Sequence, residues 1–210
     1  LETDFPEADG IFGNSDLSLI SEIVSRVGSG ERAVLVPSVK PSESERRQFL
    51  GFPGSVYVKI AEGCDNRCPY CAIPLIRGNV RSRTEESVFQ ECGSLADKGV
   101  KEIILIAQDL SSYGLDQGGR KLPELLERVL SLKGDFWLRL LYIHPDHFPM
   151  DILPLFNKDS RLIPYFDIPF QHASASILSR MGRRGSGEAY LDLINKIRTE
   201  VPDSVIRSTF

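Results

Sequence analysis

Cysteine is scarce in this chain, with four in 210 residues. That is too few for the disulfide framework of a small secreted domain. Long apolar runs are missing as well. The longest, ending at Gln108 and bracketed by Glu102 and Asp109, falls far short of the roughly 20 residues that span a bilayer. No secretory leader is visible, and because the first residue is Leu1 the natural start is expected upstream. Positive charge is not in excess either: 25 Lys plus Arg against 29 Asp plus Glu leave a net charge of −4. Nucleic-acid binders usually present a basic face, so this balance speaks against direct nucleic-acid binding. Repeats and low-complexity tracts are absent. What remains is an ordinary globular composition, 41% hydrophobic and 26% charged, on a chain long enough to bury a core. Three of the four cysteines fall between positions 64 and 71. Such clustering points to metal binding in a reducing, cytoplasmic setting.

Hydropathy patterning separates a short leading stretch from a regular remainder. Leu1 to Ile11 is acidic. Ser15 is placed to cap a helix with Leu17, Ile20, Val24 and Val27 at the 3.6-residue period, stopped by Gly28 to Gly30. Residues 28–54 are rich in Gly, Ser, Pro and mixed charge. They read as a linker with room for a short strand at Ala33 to Val36. One helix and a linker cannot bury a core. From Ser55 onward, strand-like segments at Val56–Ala61, Ile103–Ala107, Phe136–Ile143, Tyr165–Phe170 and Val205–Phe210 alternate with helices. Thr84 caps a helix whose face is Val88, Phe89, Cys92, Leu95 and Ala96, ended by Gly99. Pro123 opens a helix through Leu126, Val129 and Leu130. Further helices are expected near Met150–Phe156, Ser174–Met181 and Glu188–Glu200. This alternation predicts an α/β fold with a parallel sheet and right-handed crossovers. Polar residues stand at the end of each strand in turn. That favours a partial barrel with its site on the C-terminal rim over an open sheet with one switch point.

The segment Gly63-Cys64-Asp65-Asn66-Arg67-Cys68-Pro69-Tyr70-Cys71 has the spacing C-x3-C-x2-C. Three thiolates on one tight loop suit a four-iron cubane, whose usual ligands are cysteines. Three ligands leave one iron open, and an open iron is where chemistry can happen. A structural zinc site generally needs four ligands, and here the fourth could only be Cys92 or a distant histidine. A zinc-stabilised binding module without catalysis is therefore the alternative from another class. Cys92 lies on an apolar helix face and reads as packing. His144 and His147, interleaved with Pro145 and Pro149, read as turn residues rather than metal ligands. Arg67, Arg77, Arg81 and Arg83 lie in a stretch, Asn66 to Thr84, without an acidic side chain. They form either a solvated loop face or a set of guanidiniums that offsets a negatively charged cluster. Arg183 and Arg184 carry the same two readings.

An aromatic just before the third cysteine, on a loop directly after the first strand, resembles the radical S-adenosylmethionine (SAM) enzymes. The block Glu62 to Gly78, followed by Ser82-Arg83, is similar to their methylthiotransferase branch, roughly E-G-C-x3-C-x2-C-x2-P-x2-R-G. The likeness runs from about Val56 to Phe210. Gln108 to Gly114, Tyr142 to Pro145, Asp167 to Ser174 and Arg207 to Phe210 resemble the enzymes that act on a ribosomal protein. The tRNA-adenosine methylthiotransferases, an alternative within the branch, tend to carry G-Q-N-V-N-x-Y after the second strand and Q-S-G-S after the fourth.

The resemblance implies a partial (β/α)6 barrel of the radical SAM type, truncated in the fifth strand and preceded by a remnant helix and linker. Residues 1–27 would end an N-terminal domain, 28–54 would link, and 55–210 would be an incomplete core. It implies Cys64, Cys68 and Cys71 as ligands of a [4Fe-4S] cluster whose open iron binds the methionine moiety of SAM. A 5′-deoxyadenosyl radical would then act on the β-carbon of an aspartate in protein twelve of the small ribosomal subunit, leading to methylthiolation. Tyr70 is expected near the adenine, Gln108 and Asp109 near the methionine amino group, and Gln171 and His172 near the ribose. Arg207 and Thr209, in the fifth strand, complete the cofactor-binding candidates. Gln108 and Asp109 read equally as a turn with a helix cap. No side chain is assigned a catalytic role, because the cofactor carries the hard chemistry while the protein orients it and excludes water. The resemblance also implies an electron donor and a second [4Fe-4S] cluster on the N-terminal domain. It involves no membrane and no direct nucleic-acid contact for this core.

Overall fold

The computed structural model describes residues 3–13, 17–36 and 54–210. The chain divides into two compact units, Leu1–Arg46 and Arg47–Phe210. In the smaller unit, strand β1 (Gly10–Phe12) pairs in parallel with β2 (Ala33–Leu35), and helix α1 (Ile20–Gly28) connects them. The helix and the short strand expected at Ala33 to Val36 are both present; the addition is β1, which completes a small βαβ unit. β1 escapes pattern reading because three residues are too few to show an alternation. The apolar period of α1 is real, but its predicted face is not the buried one. Ile23 is buried while Leu17, Ile20 and Val24 stay exposed. Ser15, the expected cap, and most of the expected linker lie outside the described residues.

The larger unit holds β3 (Ser55–Lys59), β4 (Ala61–Glu62), α2 (Ile73–Arg77), β5 (Arg81–Ser82), α3 (Glu85–Asp97), β6 (Glu102–Ile106) and α4 (Leu122–Leu130). It continues with β7 (Trp137–Leu141), α5 (Leu153–Lys158), β8 (Tyr165–Asp167), α6 (Ala175–Arg180), α7 (Gly187–Glu200) and β9 (Val205–Arg207). The strands β3, β6 and β7 form a parallel sheet in that order, with Val58 opposite Leu105 and Leu105 opposite Leu140. β8 pairs with β9, again in parallel. The Leu138–Leu162 bridge and the bond from Ile143 N to Asp167 O (2.9 Å) join β7 to the β8 segment. Each described parallel strand thus neighbours the next in chain order, with a helical crossover between.

Burial follows from position in the sheet. Central β6 (Glu102–Ile106) is covered on both faces, so Ile103, Ile104 and Leu105 are all buried, as parallel strands under helices must be. β3 alternates instead: Val56 and Val58 point inward and Tyr57 outward. On α3, the Thr84 hydroxyl accepts the Ser87 N–H at 3.2 Å, satisfying an orphan donor of the first turn. Val88, Cys92 and Leu95 form its buried face. Its far end closes by a Schellman motif, with Gly99 N bonded to Ala96 O and Val100 N to Leu95 O, and Gly99 at φ +77°. α4 buries Leu122, Leu125, Leu126 and Val129 against the same core. Each such side chain contributes about 1.5–3 kcal/mol on leaving water.

Strand ends differ modestly from the sequence reading. The first predicted strand breaks at Ile60 into β3 and β4, and those expected to reach Phe170 and Phe210 stop at Asp167 and Arg207. α2, inside the cysteine excursion, is not legible because five residues are too few to show a helical period. Among the described residues, no helix is long and apolar enough to cross a membrane.

Candidate active site

The cysteines stand on a long excursion from the end of the first core strand, and its base is tied shut. β4 and β5 pair antiparallel, Ala61 with Ser82 and Glu62 with Arg81. Within that clasp Cys64 N donates to Gly78 O (3.1 Å) and Val80 N to the Asp65 carboxylate (3.2 Å). Gly63, at φ +82°, has no space for a side chain. Cys71 N bonds back to Cys68 O (2.9 Å), closing a tight turn around Pro69 and Tyr70. A second turn braces the loop from outside: Gly182, after α6, lies where a Cβ would stand 3.1 Å from Pro69 Cδ and 3.7 Å from Cys68 Cα. All four cysteines are free thiols, Cys64, Cys68 and Cys71 half-buried and Cys92 buried. Among the described residues, no three His, Cys, Asp or Glu side chains converge on a point suited to a single ion.

Cys64 and Cys71 line a cavity of about 340 Å³ at the C-terminal ends of the strands. Its other walls are Lys59, which ends β3, Ile106, Ala107 and Gln108 from β6 and beyond, Tyr142 just after β7, and Ile73. The lining is largely apolar, which makes its few polar atoms conspicuous. Gln108 Oε1 is buried and has no hydrogen-bond partner among the described residues. An unmet acceptor of this kind costs roughly 1–3 kcal/mol unless a ligand or water completes it.

Asp109, next in sequence, faces the other way. Its buried carboxylate takes the Ser111 N–H (2.9 Å), the Ser111 hydroxyl (2.5 Å), the Ser112 hydroxyl (2.8 Å) and the Asn66 amide (2.9 Å). His144 N adds a longer contact of 3.3 Å. Burial alone would push this carboxyl up, but the bonds from Ser111, Asn66 and Ser112 outweigh it and hold it below the usual carboxylate range. The second Asn66 hydrogen points to Cys64 Sγ at 3.4 Å. Of the two expected residues after the second strand, then, one opens to the cavity and its neighbour anchors the cysteine loop. Asp109 is also the cap of a 3₁₀ turn, Leu110–Ser112.

His144 caps another short 3₁₀ turn, Pro145–His147, and its ring stacks on that of His147 at 5.2 Å. The His144 Nδ1 accepts the Asp146 N–H (3.3 Å), so in the neutral ring Nε2 bears the proton. Burial first, and then Arg183, push its pKa down to about 4. A small polar cavity of about 140 Å³ lies between these histidines, Asn66 and Gly182.

The remaining candidates spread along the same rim. The Tyr70 hydroxyl accepts from Arg183 Nη2 at 3.2 Å, and buried Arg183 also donates to Pro169 O at 3.0 Å. Arg184 instead offers its backbone N–H to Asp146 at 2.7 Å. Gln171 N donates to Thr209 O (2.7 Å), joining the ends of β8 and β9. Exposed His172 accepts the Ser174 N–H on Nδ1 (2.8 Å). Arg207 is held by buried Asp167 at 2.9 Å. None of Gln171, His172, Arg207 or Thr209 lines the cavity beside Cys64. Of the loop arginines, Arg77 and Arg81 pair with Glu62 at 2.8 and 3.8 Å, and Arg83 pairs with Glu91 at 2.5 Å. Their acidic partners lie just outside the stretch that lacks acids, so for these three the arginine pattern is accounted for by folding.

Three non-glycine residues among those described adopt positive φ: Arg67 (44°), Tyr142 (67°) and Gln171 (70°). Arg67 sits on the cysteine loop, Tyr142 directly after β7 and Gln171 four residues beyond β8. Such conformations are costly for residues with a Cβ and gather where function constrains the backbone. Sequence reasoning missed Asn66. The signal available was the Asp109-Ser111-Ser112 pattern, which predicts a carboxylate turned into its own loop but not its distant partner.

A family model described as the radical SAM superfamily matches residues 58–210. The chain belongs to that superfamily. Among individual proteins, it is 42% identical to the ribosomal protein uS12 methylthiotransferase RimO of Treponema denticola, over all of this chain and 50% of that protein. It is 43% identical to the protein of the same name from Moorella thermoacetica, over 99% of this chain and 48% of that one. The chain thus spans about half the length of the curated relatives it matches. Solved structures share the fold at low identity. The radical SAM methyltransferase TsrM of Kitasatospora setae aligns with TM-score 0.58 and 18% identity, over 74% of this chain and 30% of its own. The cobalamin-dependent SAM radical enzyme OxsB aligns with TM-score 0.58 and 14% identity, over 74% and 23%.

Proposed function

We propose that this chain is the radical core of a methylthiotransferase that modifies an aspartate of ribosomal protein uS12. In this reading Cys64, Cys68 and Cys71 hold a [4Fe-4S] cluster with one open iron, and SAM occupies the adjoining cavity. The observation that carries it is the cavity shared by Cys64, Cys71 and Gln108 at the strand ends, beside which the buried Gln108 Oε1 has no partner among the described residues. The donor set fits: three soft thiols on one loop, none in a disulfide, suit a cluster in which each binds a different iron. When bound, the cluster supplies the electron that cleaves SAM to a 5′-deoxyadenosyl radical. The protein binds and orients. Gln108 accepts from the SAM ammonium, the apolar walls of Ile73, Ile106 and Ala107 exclude water, and Tyr70, steadied by Arg183, borders the adenine. Gln171, His172, Arg207 and Thr209 would stand further along the rim, outside that cavity, and Asp109 would brace the cysteine loop through Asn66.

The strands would belong to a partial (β/α)6 barrel, with 55–210 as the core, residues 1–27 as part of a preceding domain and 28–54 as the linker, β2 within it pairing back to that domain's β1. The names of the relatives support the substrate assignment, and a cytoplasmic setting follows from it. A second cluster and an electron donor would be needed for complete turnover. Anaerobic reconstitution of the chain with iron, sulfide and reductant tests the core reading. A brown chromophore and slow release of 5′-deoxyadenosine from SAM are expected; retained zinc with no chromophore would contradict it. Assay of the full-length enzyme on uS12 and on tRNA separates the ribosomal reading from the tRNA-adenosine alternative.

A further inference from the structure

Asn66 is a loop residue with both amide hydrogens committed. One reaches Cys64 Sγ at 3.4 Å and the other reaches the buried Asp109 carboxylate at 2.9 Å. The Asp109 carboxylate has no freedom to turn away, since Ser111, Ser112 and the His144 N–H fix both of its oxygens. An ionised carboxylate only accepts, so the Asn66 amide nitrogen, and not its oxygen, must face it. The same constraint aims the other N–H at the sulfur. We infer that Asn66 tunes the reduction potential of the cluster through a hydrogen bond to the Cys64 thiolate, and that Asp109 is the positioning residue that sets the orientation of that amide. This rests on the reading that Cys64 is a cluster ligand. Hydrogen bonds to ligand sulfurs favour the reduced, more negative cluster and raise its potential. They matter most where a weak reductant must deliver the electron.

The pairing makes a specific forecast for Asp109→Asn. That isostere keeps one carbonyl for the backbone donors but presents an amide N–H to Asn66. The Asn66 amide then flips, its oxygen faces the thiolate, and the bond to sulfur is lost although Asn66 is unchanged. Because removing a negative charge near the cluster shifts the potential by itself, the orientation is read spectroscopically. The reconstituted, reduced chain is exchanged into D2O and examined by electron–nuclear double resonance, with potentials measured by dye-mediated titration. Wild type is expected to show an exchangeable proton coupled to the cluster. Both Asn66→Ala and Asp109→Asn lose it, and Asn66→Ala lowers the potential by up to about tenfold in the reduction equilibrium, about 59 mV for a one-electron couple. A wild-type cluster with no exchangeable coupling overturns the inference without recourse to any variant. So does Asn66→Ala with the coupling and potential unchanged. Retention of the coupling in Asp109→Asn, with loss in Asn66→Ala, overturns the role of Asp109. Failure of the wild type to assemble any cluster overturns the cluster reading itself, a result distinguishable from all of these.

Discussion

Gly63 lies against Asn79 so closely that a Cβ on Gly63 would stand 2.1 Å from the Asn79 carbonyl oxygen, with Gly63 at φ +82°. The contact sits immediately before Cys64 and inside the β4–β5 clasp, so it fixes where the cysteine loop leaves the sheet. Gly63→Ala introduces both left-handed strain and overlap with backbone, a combined cost of about 2–5 kcal/mol. Backbone cannot rotate aside as a side chain can. The variant is expected to lose bound iron more readily than the wild type while keeping its helix content, measured by iron release to a chelator alongside circular dichroism.

His144 gives the unit a pH dependence with a defined sign. Its pKa falls from 6.5 in the unfolded chain to about 4 in the folded one. Between those values the unfolded state binds the extra proton, so stability drops as pH falls from about 6.5 to about 4. The magnitude is on the order of 2–3 kcal/mol. Asp109 acts lower: its folded pKa is depressed, so its contribution is complete above about 3.8 and is lost as pH falls through the folded value. Urea melts at pH 7 and pH 5 are expected to differ for the wild type and to converge for His144→Asn, which retains an acceptor for the Asp146 N–H. An equal pH dependence in both proteins would rule out His144 as its source.

Gln108 separates ligand binding from folding. Its amide oxygen is unmet in the fold, so Gln108→Leu removes no internal bond and adds apolar contact within a largely apolar cavity. Thermal stability is expected to hold or rise slightly. SAM binding to the reconstituted chain, followed by calorimetry, is expected to weaken by about tenfold, as for one lost hydrogen bond to a charged group. Unchanged affinity would remove Gln108 from the binding site.

Cys92 provides the complementary case. It is fully buried on α3, and burial pushes its thiol up to about 12, so it stays protonated and inert. Cys92→Ala is expected to cost about 1–2 kcal/mol for the small void it leaves. Iron content per chain should match the wild type.

The parallel α/β order was legible because buried strands such as Ile103–Ala107 and capped helices such as that begun by Thr84 announce themselves locally. The three clustered cysteines and the polar residues beyond each strand were legible for the same reason. What escaped were relations across long sequence separations. Nothing near Asn66 signals that Asp109, 43 positions away, will hold it. Nothing in the run from Asn66 to Thr84 reveals that Glu62 and Glu91 will neutralise its arginines. Helix α1 shows the reverse limit: period identifies a helix, but which side is covered depends on neighbours that the pattern does not name.

The most direct test of the account is iron and acid-labile sulfide per chain after anaerobic reconstitution, in the wild type and in Cys68→Ala. About four of each are expected in the wild type and less than half as much in Cys68→Ala, with helix content preserved. Equal iron in the two proteins, or a wild type that keeps zinc and takes up none, would contradict it.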